Sequence, residues 1–565
     1  MNLSTIIKIV ATLILIFIIS RANSVTLSLD DYTVEDNKDK EYNKDTFSGL
    51  GKVYLPKNIM NGKNVLTQNM IAKPNTIYII QYDYDLRSAK ITIPEGCVLD
   101  FQGGSFNNGI IVGNDGKIKA DSRNVIFHNV DVNKLLNAKY YHFDDFSKSN
   151  VIEACLYKQS CVDFEGNTFV LDNPIFIENN IEIRNGTFIS ATETSMFNFN
   201  VNNVGTDSVI LKNITVNGNN LSYTGANIFY IKNVQIENCH FCNFKELDSG
   251  ARGALFRRCE NVNVINTTIN GIEAFPNGVV GDEKGGCRAI TLQHSKNVLI
   301  KGCTFYDIIS TEDGDAIHLV TDYNLFTNEI DGEIIYPKII ESCYFYNISR
   351  SAVKMQDKGV IIRNNIMAND KASADAIIRI YANNCIVENN KVDYKSAYFV
   401  IIGMDKKLLV KNIVVRNNII KTPGYSYQGS IFFYCKVDGI LILNNNITIN
   451  SIGGEQKYGI VIRESAKNIY INNNIFSTNE DKGAFLSFRN DDIATDISNI
   501  YINENITNGG KYFMCFINNE QMNVNTIVAK NNNITLPNQT WVKSAVAAKN
   551  YEDNILNQIT FLEGL

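Results

Sequence analysis

The chain has 565 residues, 45% of them hydrophobic and 10% aromatic, which is ample for a large core. A formal charge of −6 gives no electrostatic basis for binding nucleic acid or an anionic membrane, and it leaves neutral and locally captured acidic glycans open. The 12 Cys contain one C-x-x-C, Cys239 with Cys242, and no second pair, so they form no metal pattern and read as core thiols.

In chain order, residues 1–24 read as a secretory signal. Lys8 is followed by an apolar run from Ile9 to Ile19, too short to span a bilayer comfortably, and Ala22-Asn23-Ser24 supplies small residues for cleavage near Ser24. The expected location is therefore secreted: periplasm, cell surface or extracellular space. No Cys follows the run as a lipid anchor would require. Residues 25–135 form a leader. Its first part is charged and weakly patterned. Then come a short helix near Gln68–Ala72, a break at Pro74-Asn75, and strands at Ile77–Gln81 and Lys90–Ile93. Two coil-like stretches, Ile93–Phe106 and Val125–Val132, complete it. Ser149 to Lys158 is a helix candidate, capped by Ser149, with Val151, Ile152, Cys155 and Leu156 on one face. Cys155 and Cys161 are close enough in sequence to bridge in an oxidising compartment.

From there the chain repeats one pattern: apolar, any, apolar, any, Asn or small, then Asn, Cys or small, any, apolar. Clear copies are Val298–Phe305, Val360–Met367, Cys385–Val392, Ile413–Ile420, Ile440–Ile447 and Ile527–Ile534, and Lys338–Phe345 is a copy with a loosened first position. The sixth position falls at Gly186, Ile214, Cys239, Thr267, Cys303, Cys343, Asn365, Asn390, Asn418, Asn445, Asn474, Asn505 and Asn532, about 29 residues per step. Such a period means a solenoid or array. Short apolar alternations joined by polar turns make each unit strands rather than helices. Asn tolerates left-handed turn geometry, and stacked Asn amides can bond from coil to coil. The many Asn-x-Ser/Thr sites (Asn213, Asn266, Asn446) are by-products of these turns. The tail beyond Asn538, with the sole Trp (Trp541) and the run Ala545–Ala548, is expected to plug the far end.

On these repeats the chain resembles the pectate-lyase-like superfamily: all-β, right-handed parallel β-helices. The resemblance covers roughly residues 140–545. It implies a β-helix over 136–548, with 549–565 as a terminal cap or tail and the Ser149 helix covering the open first coil. The leader resembles a module found before β-helices in secreted bacterial surface proteins and some phage tail proteins. The signal argues for the former. The superfamily hosts lyases, hydrolases, epimerases and adhesive tailspikes, so activity rests on the site.

A further strand in each coil aligns as Gly253–Arg257, Arg288–Leu292, Asp315–Leu319, Ser351–Met355 and Asp375–Ile380. In proteins this one resembles, substrate lies along the outer face of that strand sheet. Alternation turns Ile317, Leu319, Val353 and Met355 inward and Thr291, His318, Lys354 and Arg379 outward. Asp313, Asp315 and Arg350 fall at the leading turn. The two longest steps of the repeat, 36 and 40 residues, carry insertions at Glu273–Gly286 and Thr321–Pro337 that flank the same face. A lone outward charge is ordinarily solvated surface. Here charges and loops converge on two or three coils, and that marks a site. Smaller charged groups at Arg463-Glu464 and at Arg489 with Asp491 and Asp492 read as surface or distant subsites.

Thr311–His318 resembles the Asp-Gly turn leading into the catalytic strand of polygalacturonase-type hydrolases. The next coil reads Ser349–Lys354 in place of their paired Asp, their Gly-His-Gly is missing, and Arg379-Ile-Tyr381 stands where they have Arg-Ile-Lys. Two chemistries follow. A hydrolase would use Asp313 or Asp315 as acid, with Asp375 or Glu312 as second carboxylate. A lyase would use Lys354 or His318 as base, with Arg350, Arg288 or a Ca²⁺ held by Asp313 and Asp315 neutralising a uronate. Arg257, Arg288, Asp375, Arg379 and Tyr381 are the expected substrate contacts. No cofactor beyond Ca²⁺ is implied. The expected protein is a secreted monomer acting on a polysaccharide, with the Lys/Arg/His-rich face favouring an acidic glycan and a lyase. The competing class is a non-catalytic glycan-binding or adhesive solenoid.

Overall fold

The computed structural model describes residues 49–121, 123–246, 250–274, 286–310, 313–322, 324–330, 332–422, 429–449, 457–479, 483–489, 495–517, 522–536, 540–544 and 559–562. The expected signal segment lies outside them, as do the side chain of Trp541 and residues Ala545–Ala548.

Each repeat closes one coil of parallel strands. The apolar-any-apolar stretch supplies one strand per coil to a 16-stranded parallel sheet, running from Cys161–Asp163 to Ile559–Leu562. The rest of the coil supplies two strands to a 26-stranded set, for example Thr268–Ala274 and Cys287–Gln293. A coil therefore holds three strands. The middle one starts just after the sixth position, as Ile419–Thr422 does after Asn418, in line with the strand–Asn–strand reading of the repeat.

The repeat's polar pair divides its labour. The fifth position takes the left-handed conformation: Asn364, Asn389, Asn417, Asn444 and Asn473 have φ of 55–57°, a region most L-residues avoid. The sixth turns inward. From Asn365 to Asn532, each side-chain Nδ2 donates to the next Asn Oδ1 at 2.9–3.0 Å, and each backbone N–H donates to the same oxygen at 2.9–3.1 Å. The second amide hydrogen goes to a backbone carbonyl of the preceding coil, as from Asn418 to Val387 at 3.0 Å. Every polar atom of this buried spine is thereby satisfied within the ladder. In earlier coils, Cys239, Cys303 and Cys343 occupy the position as buried free thiols.

One hydrophobic cluster runs from Leu55 to Leu536. Leader strands Gly51–Tyr54, Thr76–Ile80, Val98–Phe101, Phe106–Ala120 and Phe127–Leu136 belong to a separate parallel sheet whose Phe101, Phe106 and Phe127 share that core, and Tyr140 and Phe146 pack on Phe164 and Phe169 of the first coil. The predicted short helix is a 3₁₀ turn at Gln68–Met70. The capping helix spans Ser149–Leu156 and buries the expected face. It packs against Phe127–Leu136 on one side and Ile175–Ile177 on the other. Ser149 does not cap it. Its hydroxyl donates to the Asn173 carbonyl at 2.6 Å and its amide to Asp172 at 2.8 Å, tying the helix to the first coil. Cys155 is buried and Cys161 exposed, and both are free, so the bridge expected between them is not made. The tail adds the last strands of both sheets, Thr540–Ser544 against Tyr512–Ile517 and Ile559–Leu562 against Ile527–Lys530.

Candidate functional site

The last strand of each coil lines up its outward residues in register. Thr291 pairs with His318, His318 with Lys354, and Lys354 with Arg379, at the coil spacing of about 4.8 Å. Three residues earlier, Arg288 pairs with Asp315 and Asp315 with Ser351. Small residues Ala289, Ala316 and Ala352, fully buried, separate the two rows.

Asp313 is the hub. Its carboxylate accepts from Arg288 Nη2 at 2.9 Å, Arg350 Nη1 at 3.0 Å and Lys354 Nζ at 2.8 Å. Burial alone would raise its pKa, but the charges of Lys354, Arg288 and Arg350 outweigh it and hold the group well below the carboxylate range. Asp315 is the opposite case. It has no exposed surface, and neither oxygen has a hydrogen-bond partner among the described residues. The Lys354 ammonium stands 3.9 Å away. Burial, then the charge of Asp313, push it up to about 6. One ammonium thus serves an ionised and a protonatable carboxyl, whose pKa values are driven apart as in many acid–base sites.

His318 is 5% exposed. Burial and the charges of Arg288 and Lys354 drive its pKa far below the usual histidine value, so the ring is neutral. Nε2 is 2.7 Å from Gln356 Oε1, an acceptor, so Nε2 carries the proton. Nδ1, buried and without a partner, keeps a free lone pair. The rim is cationic: the side chains of Arg350 and Lys354 are 31% and 12% exposed.

The insertion Thr321–Pro337 is built in as a wall. Phe326 packs on Tyr381 and Ala382. Lys358 Nζ reaches Glu333 at 2.6 Å and also the Asn328 carbonyl, and Lys338, the loosened apolar position, is a buried cation on Asp357 at 3.3 Å. Most of the other insertion lies outside the described residues.

The family described as right handed beta helix region matches residues 288–491, the stretch that carries this cluster and the first coils of the Asn spine. The chain is a right-handed parallel β-helix. No curated protein matches it significantly. Solved structures of similar shape are distant. The surface adhesin PfbA of Streptococcus pneumoniae has 15% identity and a TM-score of 0.43, over 62% of this chain and 92% of its own. The tailspike of E. coli bacteriophage HK620, solved with a hexasaccharide, has 13% identity and a TM-score of 0.41, over 73% and 76%. The mannuronan C-5 epimerase A-module of Azotobacter vinelandii has 13% and 0.33, over 68% and 92%.

On the β-helix, the expected residues separate into two sets. Asp313, Asp315, His318, Lys354, Arg350 and Arg288 form the cluster. Arg379 joins its row and donates to the Tyr381 hydroxyl at 2.9 Å, and Tyr381 is otherwise packed under the loop. Arg257 stands apart: it binds Gln293 at 2.8 Å and lies over the Phe229 ring. Here the sequence alignment slipped by one residue. The structure pairs Arg252, not Gly253, with Arg288. Gly253 stands where later coils have Ala, because a Cβ there would meet the Ala289 carbonyl at 2.6 Å. The side chains of Glu312 and Asp375 lie outside the described residues. Arg252 and Gln356 were missed. Aligning the small residue of each coil would have found the first. As for Ca²⁺, the donor set does not fit: the side of Asp313 facing Asp315 is taken by Lys354, and no group of three metal-ligating side chains occurs among the described residues. Cys239 and Cys242 are buried, with thiol pKa values raised by burial to about 11, as core thiols require. No helix among the described residues is long and apolar enough to cross a membrane.

Proposed function

We propose that this chain is a secreted, monomeric β-helix that binds an acidic polysaccharide along the outer face of the 26-stranded sheet and cleaves it by β-elimination. One observation carries the reading. Arg288, Arg350 and Lys354, from adjacent coils, all bond the ionised carboxylate of Asp313, beside a carboxyl that burial keeps protonatable, and Arg379 continues the Lys354 row. That gathering of cations on a glycan-sized face suits a uronate.

Elimination needs the uronate charge neutralised, a base for the proton beside the carboxylate, and a proton for the leaving oxygen. Arg350 and Lys354, the exposed cations, meet the carboxylate. His318 Nδ1 is the base, since its lone pair is free and the ring is neutral, and the imidazolium so formed returns that proton to the leaving oxygen as the glycosidic C–O bond breaks. This replaces Lys354, whose ammonium is bonded to Asp313. Asp315 tunes Lys354 from below. Hydrolysis is less well served: three cations keep Asp313 ionised and unfit as an acid.

A second reading, binding without cleavage, is favoured by the burial of His318. A substrate must enter between the Thr291 and Lys354 rows to reach it. A screen of the purified mature chain against a polysaccharide panel separates the cases. Ultraviolet absorbance from unsaturated uronate ends, lost in His318→Ala, is the expected result. New reducing ends without absorbance would establish a hydrolase. Binding without either signal would establish the adhesive solenoid.

A further inference from the structure

Arg252 takes no part in the chemistry above, yet it is placed at cost. It stacks in direct register with Arg288, one coil away. Like charges opposed across a strand pair repel. Arg288 answers this through Asp313 at 2.9 Å. The Arg252 side chain has no carboxylate partner among the described residues, and its one hydrogen bond is a 3.5 Å contact from Nη1 to the Gly250 carbonyl. The Nε atoms of both arginines are buried and unpartnered. So is Thr291 Oγ1, on the same strand as Arg288, although the residue is 7% exposed. Burial, then the charges of Arg288 and Arg257, pull Arg252 down to about 10. Buried donors left open on one face, next to crowded positive charge, suit an anionic ligand.

We propose that Arg252, Arg288 and Thr291 form a second anion subsite, N-terminal to the His318–Lys354 centre, which takes the carboxylate or sulfate of a neighbouring sugar. The inference rests on the acidic-glycan reading of this face and extends it. With cations on the coils of Arg252, Arg288, Lys354 and Arg379, one or two strand steps (about 5–10 Å) apart, the ligand carries negative charge on closely successive sugars. It is a homopolyuronate or a densely sulfated chain, not a neutral polymer with scattered uronates.

The test measures equilibrium binding of the mature chain and its Arg252→Gln and Arg252→Lys variants. The ligands are a homopolyuronate, the same polymer carboxyl-reduced, and a sulfated neutral glucan. Arg252→Gln is expected to weaken the preferred polyanion at least ten-fold, Arg252→Lys to retain most of the affinity, and the reduced polymer to show no difference. The ligand whose affinity falls identifies carboxylate or sulfate as the group bound. Should Arg252→Gln not fold, Thr291→Val carries the same test, with a several-fold loss expected. If Arg252→Gln binds as wild type while wild type still prefers the acidic polymer to its reduced form, the subsite is wrong and the proposed function stands. If wild type binds acidic and reduced polymers equally, both fall.

Discussion

The coils before and after residue 350 share one repeat but are held together differently. From Asn365 onward, an unbroken amide ladder sets the stacking. Before it, the same position holds Gly186, Ile214, Cys239, Thr267, Cys303 and Cys343, which pack by volume and weak sulfur contacts, with one amide-to-hydroxyl bond from Cys239 to Thr267 at 3.3 Å in place of a ladder. The charged cluster sits on the last coils before the ladder and reaches its first, and both long insertions precede the ladder. A coil joined to its neighbour by a satisfied internal amide is constrained in turn geometry. A coil joined by packing alone tolerates an insertion. The regular coils therefore act as the rod, and the irregular ones carry the charged cluster.

Breaking the ladder should have the largest effect. Asn418→Leu leaves the Asn390 amide and the Val387 carbonyl unpaired in the core, and stability should fall by about 3–5 kcal/mol. Cys303→Ala, at the equivalent place in the packed half, should cost about 1–2 kcal/mol. Denaturant unfolding measures both, and equal losses would remove the contrast.

Next is Lys354→Ala. It strips the shared cation from Asp313 and Asp315 and should lower acidic-glycan affinity at least ten-fold and stability by about 1–3 kcal/mol.

A smaller effect is expected from Asp315. Its folded pKa is raised, so the folded protein binds a proton that the unfolded chain has released. The stability it contributes is full below about pH 4 and declines as pH rises through 6. Asp315→Asn should flatten this slope, with a relative gain on the order of 1–3 kcal/mol at pH 8. Melting temperatures across pH 4–8 test the sign, and a wild-type curve that rises through this window from this group would contradict it.

The smallest effect is at the fifth position. Asn417→Ala should cost about 1 kcal/mol and Asn417→Gly little, because only the left-handed backbone is at stake.

The fold was legible because the repeat states its reasons openly: inward apolar alternation, a left-handed Asn, a stacking Asn or Cys. The His318–Lys354–Arg379 row followed from the same alternation. What did not follow was register across Gly253. There a glycine required by close backbone approach imitates the small polar residue that opens other strands, and Arg252 was lost with it. Roles were less legible still. Lys354 reads from sequence as an outward base, and only its contacts show an ammonium bound between two carboxyls. Asp313 and Asp315, two residues apart, look interchangeable until three cations are found on one and none bonded to the other.

The most direct test of the central claim is product analysis of the mature chain on the acidic polysaccharide it binds best, beside His318→Ala. The account predicts unsaturated uronate ends from wild type and none from His318→Ala, which still binds. Unsaturated ends formed equally by both, or none from wild type on any acidic polymer it binds, would contradict it.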